Sequence, residues 1–219
     1  MSASPSSGVT LGRYRAASLG VRTHVGVRWR TCPIPDVDAV VPPSGAVLEI
    51  GCGHGLVANY LADAAADRRV HGVDIDPRKI DAARASLRPG DTTVFDLVEP
   101  GELPEGPFDA VVIVDVLYLL DDAGREELVA AACGRLGPGG VLVVKELGVT
   151  PVWKARLASA QERLSTGVLG ITAGRHHGLE SLEVLADRFR RAGLVDVSVT
   201  RLDRGWLHPH GLVTGRRGG

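Results

Sequence analysis

Val47-Leu48-Glu49-Ile50-Gly51-Cys52-Gly53-His54-Gly55-Leu56 is an apolar strand that breaks into a glycine-rich turn and then begins an amphipathic helix. No other stretch of the chain constrains its fold as tightly. Glycines at alternate positions let the backbone take positive φ and let a ligand approach the chain closely. A turn that opens a helix also aims unpaired N–H groups at that ligand. A dinucleotide loop would read Gly-x-Gly-x-x-Gly, with the pyrophosphate on the helix N-terminus. Here the third glycine, Gly55, comes too early, and an acid, Glu49, stands before the first, Gly51. A carboxylate there repels a pyrophosphate and suits a cationic ligand. Similar turns occur in parallel α/β proteins with no ligand, so the neighbouring motifs must decide.

At 219 residues, 44% hydrophobic and 23% charged, the chain has material for one α/β domain and a small addition, not for two independent cores. A formal net charge of −1 gives no overall attraction to nucleic acid or to an anionic bilayer, and either partner would need a local patch. Aromatic residues make up only 4%, which leaves little for base-stacking platforms. Cys32, Cys52 and Cys133 are widely spaced and odd in number, so neither a disulfide framework nor a metal site is indicated, and a cytoplasmic location is expected. Met1 to Gly8 lack a basic stretch followed by an apolar core, and no later run reaches the apolar length of a membrane span. Residues 1–10 are expected to be a disordered tail. A small molecule is the expected partner, and the oligomeric state is left open.

Residues 11–44 form an N-terminal helical arm containing Tyr14, Leu19, Val21, Val25, Val27, Trp29 and Ile34. Its first helix should end near Cys32-Pro33-Ile34-Pro35, because proline disfavours a helical predecessor, and a second should follow over 36–41. Residues 45–219 then read as one domain in which short apolar runs alternate with helical patterns, the mark of βαβ units. Strands are predicted at 47–50, 70–73, 92–95, 110–114 and 141–147, with helices at 56–65, 77–87 and 122–136. Asp76 ahead of Pro77 is a helix start signal, and Gly137-Pro138-Gly139-Gly140 reads as a turn. An extra helix is predicted at 153–164 and a crossover helix at 179–192, stopped by Gly193. Strands at 195–202 and 207–216 should close the sheet.

In doubly wound sheets a ligand sits beyond the carboxyl ends of the strands, at the switch in strand order. Asp74 follows the second strand, where a carboxylate can accept both ribose hydroxyls of a nucleoside. Its competing role is a helix N-cap, which Asp76 fits better. Further acids follow at strand ends, in Thr93-Val94-Phe95-Asp96-Leu97 and in Asp115-Val116-Leu117-Tyr118-Leu119-Leu120. Taken in order with Glu49-x-Gly51-x-Gly53-x-Gly55 and Gly137-Pro138-Gly139-Gly140, these motifs resemble the class I S-adenosylmethionine-dependent methyltransferases. The resemblance is close over about 47–147 and covers the rest only in outline.

What it implies is a Rossmann-like, doubly wound α/β sheet of seven strands, mostly parallel with one antiparallel C-terminal strand, capped by the N-terminal arm as a lid. It implies that S-adenosylmethionine lies against Glu49, Gly51, Cys52, Gly53, Gly55, Asp74, Ile75, Asp96, Leu97 and Asp115, with Asp96 accepting from the adenine amine. The stretch after the fourth strand would pass between cofactor and acceptor. It lacks the Asp/Asn-Pro-Pro-Tyr/Phe form of enzymes that modify nucleic-acid bases or glutamine. A small-molecule acceptor methylated on oxygen or carbon, whether a secondary metabolite, a lipid or a cofactor precursor, is therefore the leading expectation. An RNA or protein methyltransferase and a non-catalytic cofactor-binding protein are the alternatives.

Candidates on the acceptor side lie outside these motifs. Glu146 ends the fifth strand and could orient or deprotonate an acceptor hydroxyl, or else pair with Lys145 or Arg156. His177, with His176 in the glycine-flanked loop Thr172-Ala173-Gly174-Arg175-His176-His177-Gly178, could serve as a base or simply face solvent. His54 is expected to pack near the cofactor, and His208 and His210 would hold a metal only with further ligands. Tyr14, Trp29 and Trp153 could cover a ligand or belong to the core. Arg13, Arg15, Arg22, Arg28 and Arg30 read as a solvated face able to meet an anionic small molecule or lipid headgroup.

Overall fold

Near-continuous apolar runs build the centre of the molecule because a parallel sheet is buried on both faces. The computed structural model describes residues 5–147, 178–202, 206 and 209–219. Its strands are β1 (Ser44–Ile50), β2 (Asp67–Asp74), β3 (Val94–Leu97), β4 (Phe108–Val114), β5 (Leu136–Leu147), β6 (Leu194–Arg201) and β7 (His210–Arg217). They form one seven-stranded sheet in the order β3-β2-β1-β4-β5-β7-β6. Only β7 runs antiparallel to its neighbours. This is the expected seven-stranded, mostly parallel architecture. Between β1 and β4 the order of strands reverses direction, and their register pairs Ile50 with Ile113. The chain segments leaving these two strands therefore emerge side by side, at the switch point where such sheets bind ligands.

Alternate side chains of each strand feed two cores. On one face α1 (Ser7–Gly12), α2 (Leu19–Thr31), α3 (Ile34–Asp38), α4 (Leu56–Ala64) and α5 (Pro77–Ala85) accompany Val47, Val70, Phe95, Val112 and Val143. On the other, α6 (Asp122–Arg135) and α7 (Leu182–Arg191) cover Leu48, Val73, Ile113, Leu142 and Val213. Local chemistry sets the helix starts. Asp76 Oδ1 accepts from Arg78 N with Pro77 behind it, and Asp121 and Ser181 cap α6 and α7 through Gly124 N and Val184 N. Asp76 is thus the cap, as expected, and Asp74 is spared that role.

The arm is pinned to the domain rather than draped over it. Arg13 bridges Asp63 and Asp91 with only 4% of its side chain exposed, and Thr10 Oγ1 donates to Asp63 at 3.0 Å. Tyr14 donates to the His54 carbonyl at 2.9 Å, and the Trp29 and Tyr60 rings meet at 5.7 Å between centroids. Tyr14 and Trp29 therefore belong to the arm's packing against α4. Arg13 is likewise no part of a solvated face, because two carboxylates on α4 and in the loop after α5 hold it inside.

Three expectations need correction. Helix α1 begins at Ser7, inside the stretch expected to be disordered, and Thr10 is buried there by its bond to Asp63. Helix α3 starts at Ile34 instead of 36, because Pro35 occupies its first turn, where a missing N–H costs nothing. Residues 137–140 are not a turn outside the sheet but an irregularity within β5, where Leu136 pairs with Phe108 and Val141 already with Ala110. A side chain at Gly140 would stand 3.0 Å from the Phe108 and Gly137 carbonyl oxygens, a tight passage that glycine makes without displacing either. The helix predicted at 153–164, with Trp153, lies outside the described residues. No helix among the described residues is long and apolar enough to cross a membrane.

Candidate active site

The three loop glycines differ in what they make room for. A Cβ on Gly51 would lie 2.5 Å from Val116 Cγ2, and one on Gly55 2.5 Å from Phe95 Cζ. Those two are required by the protein's own packing. Gly53, at φ +54°, would meet nothing within 4 Å, so its bare face opens onto the crevice beyond β1. A ligand held here would sit against Gly53. Cys52 is buried, its thiol pushed far up in pKa by that burial, and it can touch a ligand only through its backbone.

Glu49 lies beneath the loop, 2% exposed, with a backbone bond from Ala58 to one oxygen and no partner for Oε2 among the described residues. Burial pushes its carboxyl up to about 8. The electrostatic expectation is corrected accordingly: burial favours the protonated form of Glu49 at neutral pH, and a cation held beside it would favour the anion.

At the end of β2, Asp74 is 8% exposed and braces the loop. Its Oδ2 accepts from Gly53 N at 2.8 Å and its Oδ1 from Asp76 N at 2.9 Å. A carboxylate has about four acceptor positions, so each oxygen keeps one for a ribose hydroxyl. Ile75, the residue after Asp74, and Leu97, the register partner of Asp74 on β3, are 59% and 46% exposed. Two large apolar side chains left open at adjacent strand ends are a fit for the faces of a purine ring. Asp96 lies within β3 with its side chain 46% exposed. Its side chain pairs with His71 Nε2 at 2.9 Å and Arg84 at 3.1 Å on the sheet edge, so its first role is an ion pair that ties β3 to β2 and α5.

Beyond β4 the acids are engaged in the same way. Asp115 takes φ +55° and is bound by Lys145 Nζ at 2.7 and 2.8 Å and by Arg28 at 2.5 Å. Burial opposes its charge, but Lys145 and Arg28 hold its carboxyl well below the usual range. Asp115 Oδ2 is thus doubly engaged and Oδ1 holds Lys145, so Asp115 anchors the loop that follows β4 and keeps one acceptor position, on Oδ1. Glu146 completes that anchor: Oε1 accepts from Val116 N at 2.9 Å and from Leu117 N at 2.7 Å. Lys145 faces Asp115, not Glu146, because successive strand residues point to opposite faces. Burial, then the nearby Asp115, push the Glu146 carboxyl up to about 8. Its Oε2 has no hydrogen-bond partner among the described residues, in a narrow cleft lined by Leu117, Tyr118, Leu147 and Leu182. His177, Arg156, His176 and His208 lie outside the described residues.

Helix α2 roofs the switch point. The His24 ring meets that of His54 of the glycine loop at a tilt of 44°, with centroids 4.7 Å apart. Burial first, and each other's proximity second, lower the pKa of His24 to about 4. One turn on, Arg28 reaches Asp115, so the (i, i+4) pair His24 and Arg28 spans from the β1 loop to the β4 loop. From the sequence Arg28 stands out only as one of five arginines on a solvated face, and His24 does not stand out at all. A lone lysine in the apolar run Val141-Leu142-Val143-Val144-Lys145 was the available sign of a buried charge needing a partner.

A family model described as a methyltransferase domain matches residues 47–140. Ubiquinone biosynthesis O-methyltransferase from Xanthomonas axonopodis pv. citri is 31% identical over 165 residues, covering 72% of this chain and 66% of that protein. Ribosomal protein L11 methyltransferase from Thiobacillus denitrificans is 36% identical over 124 residues, covering 56% of this chain and 36% of that one. The chain thus spans from about a third to about two thirds of the length of these relatives. The crystal structure of the S-adenosylmethionine-dependent methyltransferase SibL in its apo form superposes with a TM-score of 0.72 at 23% identity, over 95% of this chain and 62% of that one. At that identity the likeness speaks for the fold alone.

Proposed function

We propose, since this chain belongs to the class I S-adenosylmethionine-dependent methyltransferases, that it methylates an oxygen or carbon of a small molecule such as a secondary metabolite, a lipid or a cofactor precursor. The observation that carries the reading is the crevice at the β1–β4 switch point, where Gly53 alone of the loop glycines faces open space beside Asp74, Ile75 and Leu97. When bound, S-adenosylmethionine supplies a methyl group made electrophilic by its sulfonium charge. The chain's own residues then bind and orient. Asp74 accepts from the ribose hydroxyls while its amide partners keep it in place, and Ile75 and Leu97 cover the adenine faces. The Glu49 carboxyl gives up its proton when a cation is held over the loop. Glu146 fixes the Val116–Leu117 backbone between cofactor and acceptor, and its carboxyl, protonated at neutral pH, can orient an acceptor's hydroxyl through Oε2. Roofing by α2 excludes water, which favours a displacement in which charge disappears.

A small-molecule acceptor is supported by the ubiquinone O-methyltransferase relative, which matches more of this chain than the ribosomal protein L11 methyltransferase does. A protein acceptor remains the second reading because of that latter likeness. The three cysteines are unpaired and buried, in keeping with a cytoplasmic location. The test is incubation with methyl-labelled S-adenosylmethionine and three acceptor pools: small phenols and acids, total RNA, and ribosomal protein. Label in the small-molecule pool is the expected result, and label only in protein or RNA would overturn the acceptor class.

A further inference from the structure

The second cation on Asp115 has no acid of its own. Lys145 Nζ reaches both Asp115 oxygens, at 2.7 and 2.8 Å, and is fully buried, so that pair is electrically complete. Arg28 adds another guanidinium to the same carboxylate, and its next contact is the Val114 carbonyl oxygen at 3.4 Å. Among the described residues no other acid forms an ion pair with Arg28. Asp74 is turned toward the Gly53 and Asp76 amides, and burial keeps Glu49 and Glu146 largely protonated at neutral pH. His24 and His54 add no negative charge. Two cations thus share the one carboxylate of Asp115, and the open one is Arg28, whose side chain is 31% exposed where that of Lys145 is 0%.

The position of that charge matters as much as its sign. Arg28 stands over the residue that leaves β4, on the far side of the switch point from Asp74, Ile75 and Leu97. We propose that Arg28 is the acceptor-binding cation of this site, and that the acceptor carries an anionic oxygen group, a carboxylate or a phenolate, which pairs with the Arg28 guanidinium. The inference rests on the methyltransferase reading above. A guanidinium has five N–H donors in a rigid fork. Asp115 and Val114 engage only one edge of it, so the fork is pre-oriented and little ordering cost falls on the incoming anion.

Benzoate and benzamide test this, since they share size and shape and differ in charge. Each is titrated by calorimetry into the protein saturated with S-adenosylhomocysteine, alongside Arg28→Gln and the charge-conserving Arg28→Lys. The expected result is saturable benzoate binding at least tenfold tighter than benzamide, lost by at least tenfold in R28Q and only partly kept in R28K, which retains the charge without the fork. S-adenosylhomocysteine affinity should change by less than twofold in either variant. Equal binding of the two probes, or binding of neither, in the unaltered protein would overturn the inference without recourse to any variant. So would a loss of S-adenosylhomocysteine affinity in R28Q with 5′-methylthioadenosine affinity intact, because Arg28 would then serve the cofactor's own carboxylate. If the unaltered protein binds no S-adenosylhomocysteine, the methyltransferase reading fails first and the inference falls with it.

Discussion

Replacing Asp115 with asparagine would strand a buried lysine. Lys145 is 0% exposed and its ammonium touches both oxygens of Asp115, so the amide keeps the shape and removes the charge that makes this burial tolerable. Asparagine also tolerates the φ of +55° at this position, which separates the electrostatic cost from backbone strain. Breaking a buried pair by removing one partner costs about 3–5 kcal/mol. For a chain of this size, where 1 kcal/mol moves Tm by about 2–4 °C, D115N should lower Tm by about 6–20 °C. The double variant Asp115→Asn with Lys145→Met removes the stranded charge as well. It should recover to within about 2 kcal/mol of the unaltered protein, because a buried ion pair is roughly interchangeable with apolar packing. Urea unfolding of the four proteins in a double-mutant cycle measures the coupling directly. If D115N shifts stability by less than about 0.5 kcal/mol, or if the two substitutions simply add, Lys145 is not held in place by Asp115 and the reasoning is wrong.

Two further expectations follow from the glycine loop and from the acid beneath it. Gly55→Ala places a methyl 2.5 Å from Phe95 Cζ at φ +77°, and overpacking together with the left-handed backbone should cost about 2–5 kcal/mol in urea unfolding; an effect under about 1 kcal/mol would mean that Phe95 yields freely. Folded Glu49 holds its proton to about pH 8, whereas the unfolded chain releases it near 4.5, so the stability tied to this group is whole below pH 4.5 and is lost as pH rises toward 8. Each pH unit in that window removes up to about 1.4 kcal/mol, so Glu49→Gln should be less pH-dependent than the unaltered protein between pH 5 and 8, and parallel profiles would refute the raised carboxyl.

The parts of the fold that were legible in the sequence are those set by local chemistry. The apolar runs of β1, β4 and β5, the Asp76-Pro77 start of α5 and the alternating glycines each declare themselves within a few residues. What escaped is set by distance and burial. Arg28 and Asp115 lie 87 residues apart, and nothing near either one marks it as the other's partner. Glu49 reads as a carboxylate until its 2% exposure reveals that it sits under the loop. Asp96 reads as an acid at the end of a strand over 92–95, yet it lies within β3, on the same sheet face as His71 of β2, and pairs there with His71 and Arg84. Residues 137–140 look like a turn because Gly-Pro-Gly-Gly is turn chemistry, but tertiary pairing with β4 absorbs them into β5.

The crevice at the β1–β4 switch point is tested most directly by calorimetric titration of S-adenosylhomocysteine into the unaltered protein, Gly53→Ala and Asp74→Ala. A methyl at Gly53 meets no protein atom within 4 Å, so it should cost the fold only about 1–2 kcal/mol of left-handed backbone strain while occupying the ligand's place. Single-site binding to the unaltered protein, weakened at least about tenfold in both variants by loss of fit or of charge-assisted hydrogen bonds, is the expected result. Affinity unchanged in both variants, or no binding to the unaltered protein, would contradict the cofactor site.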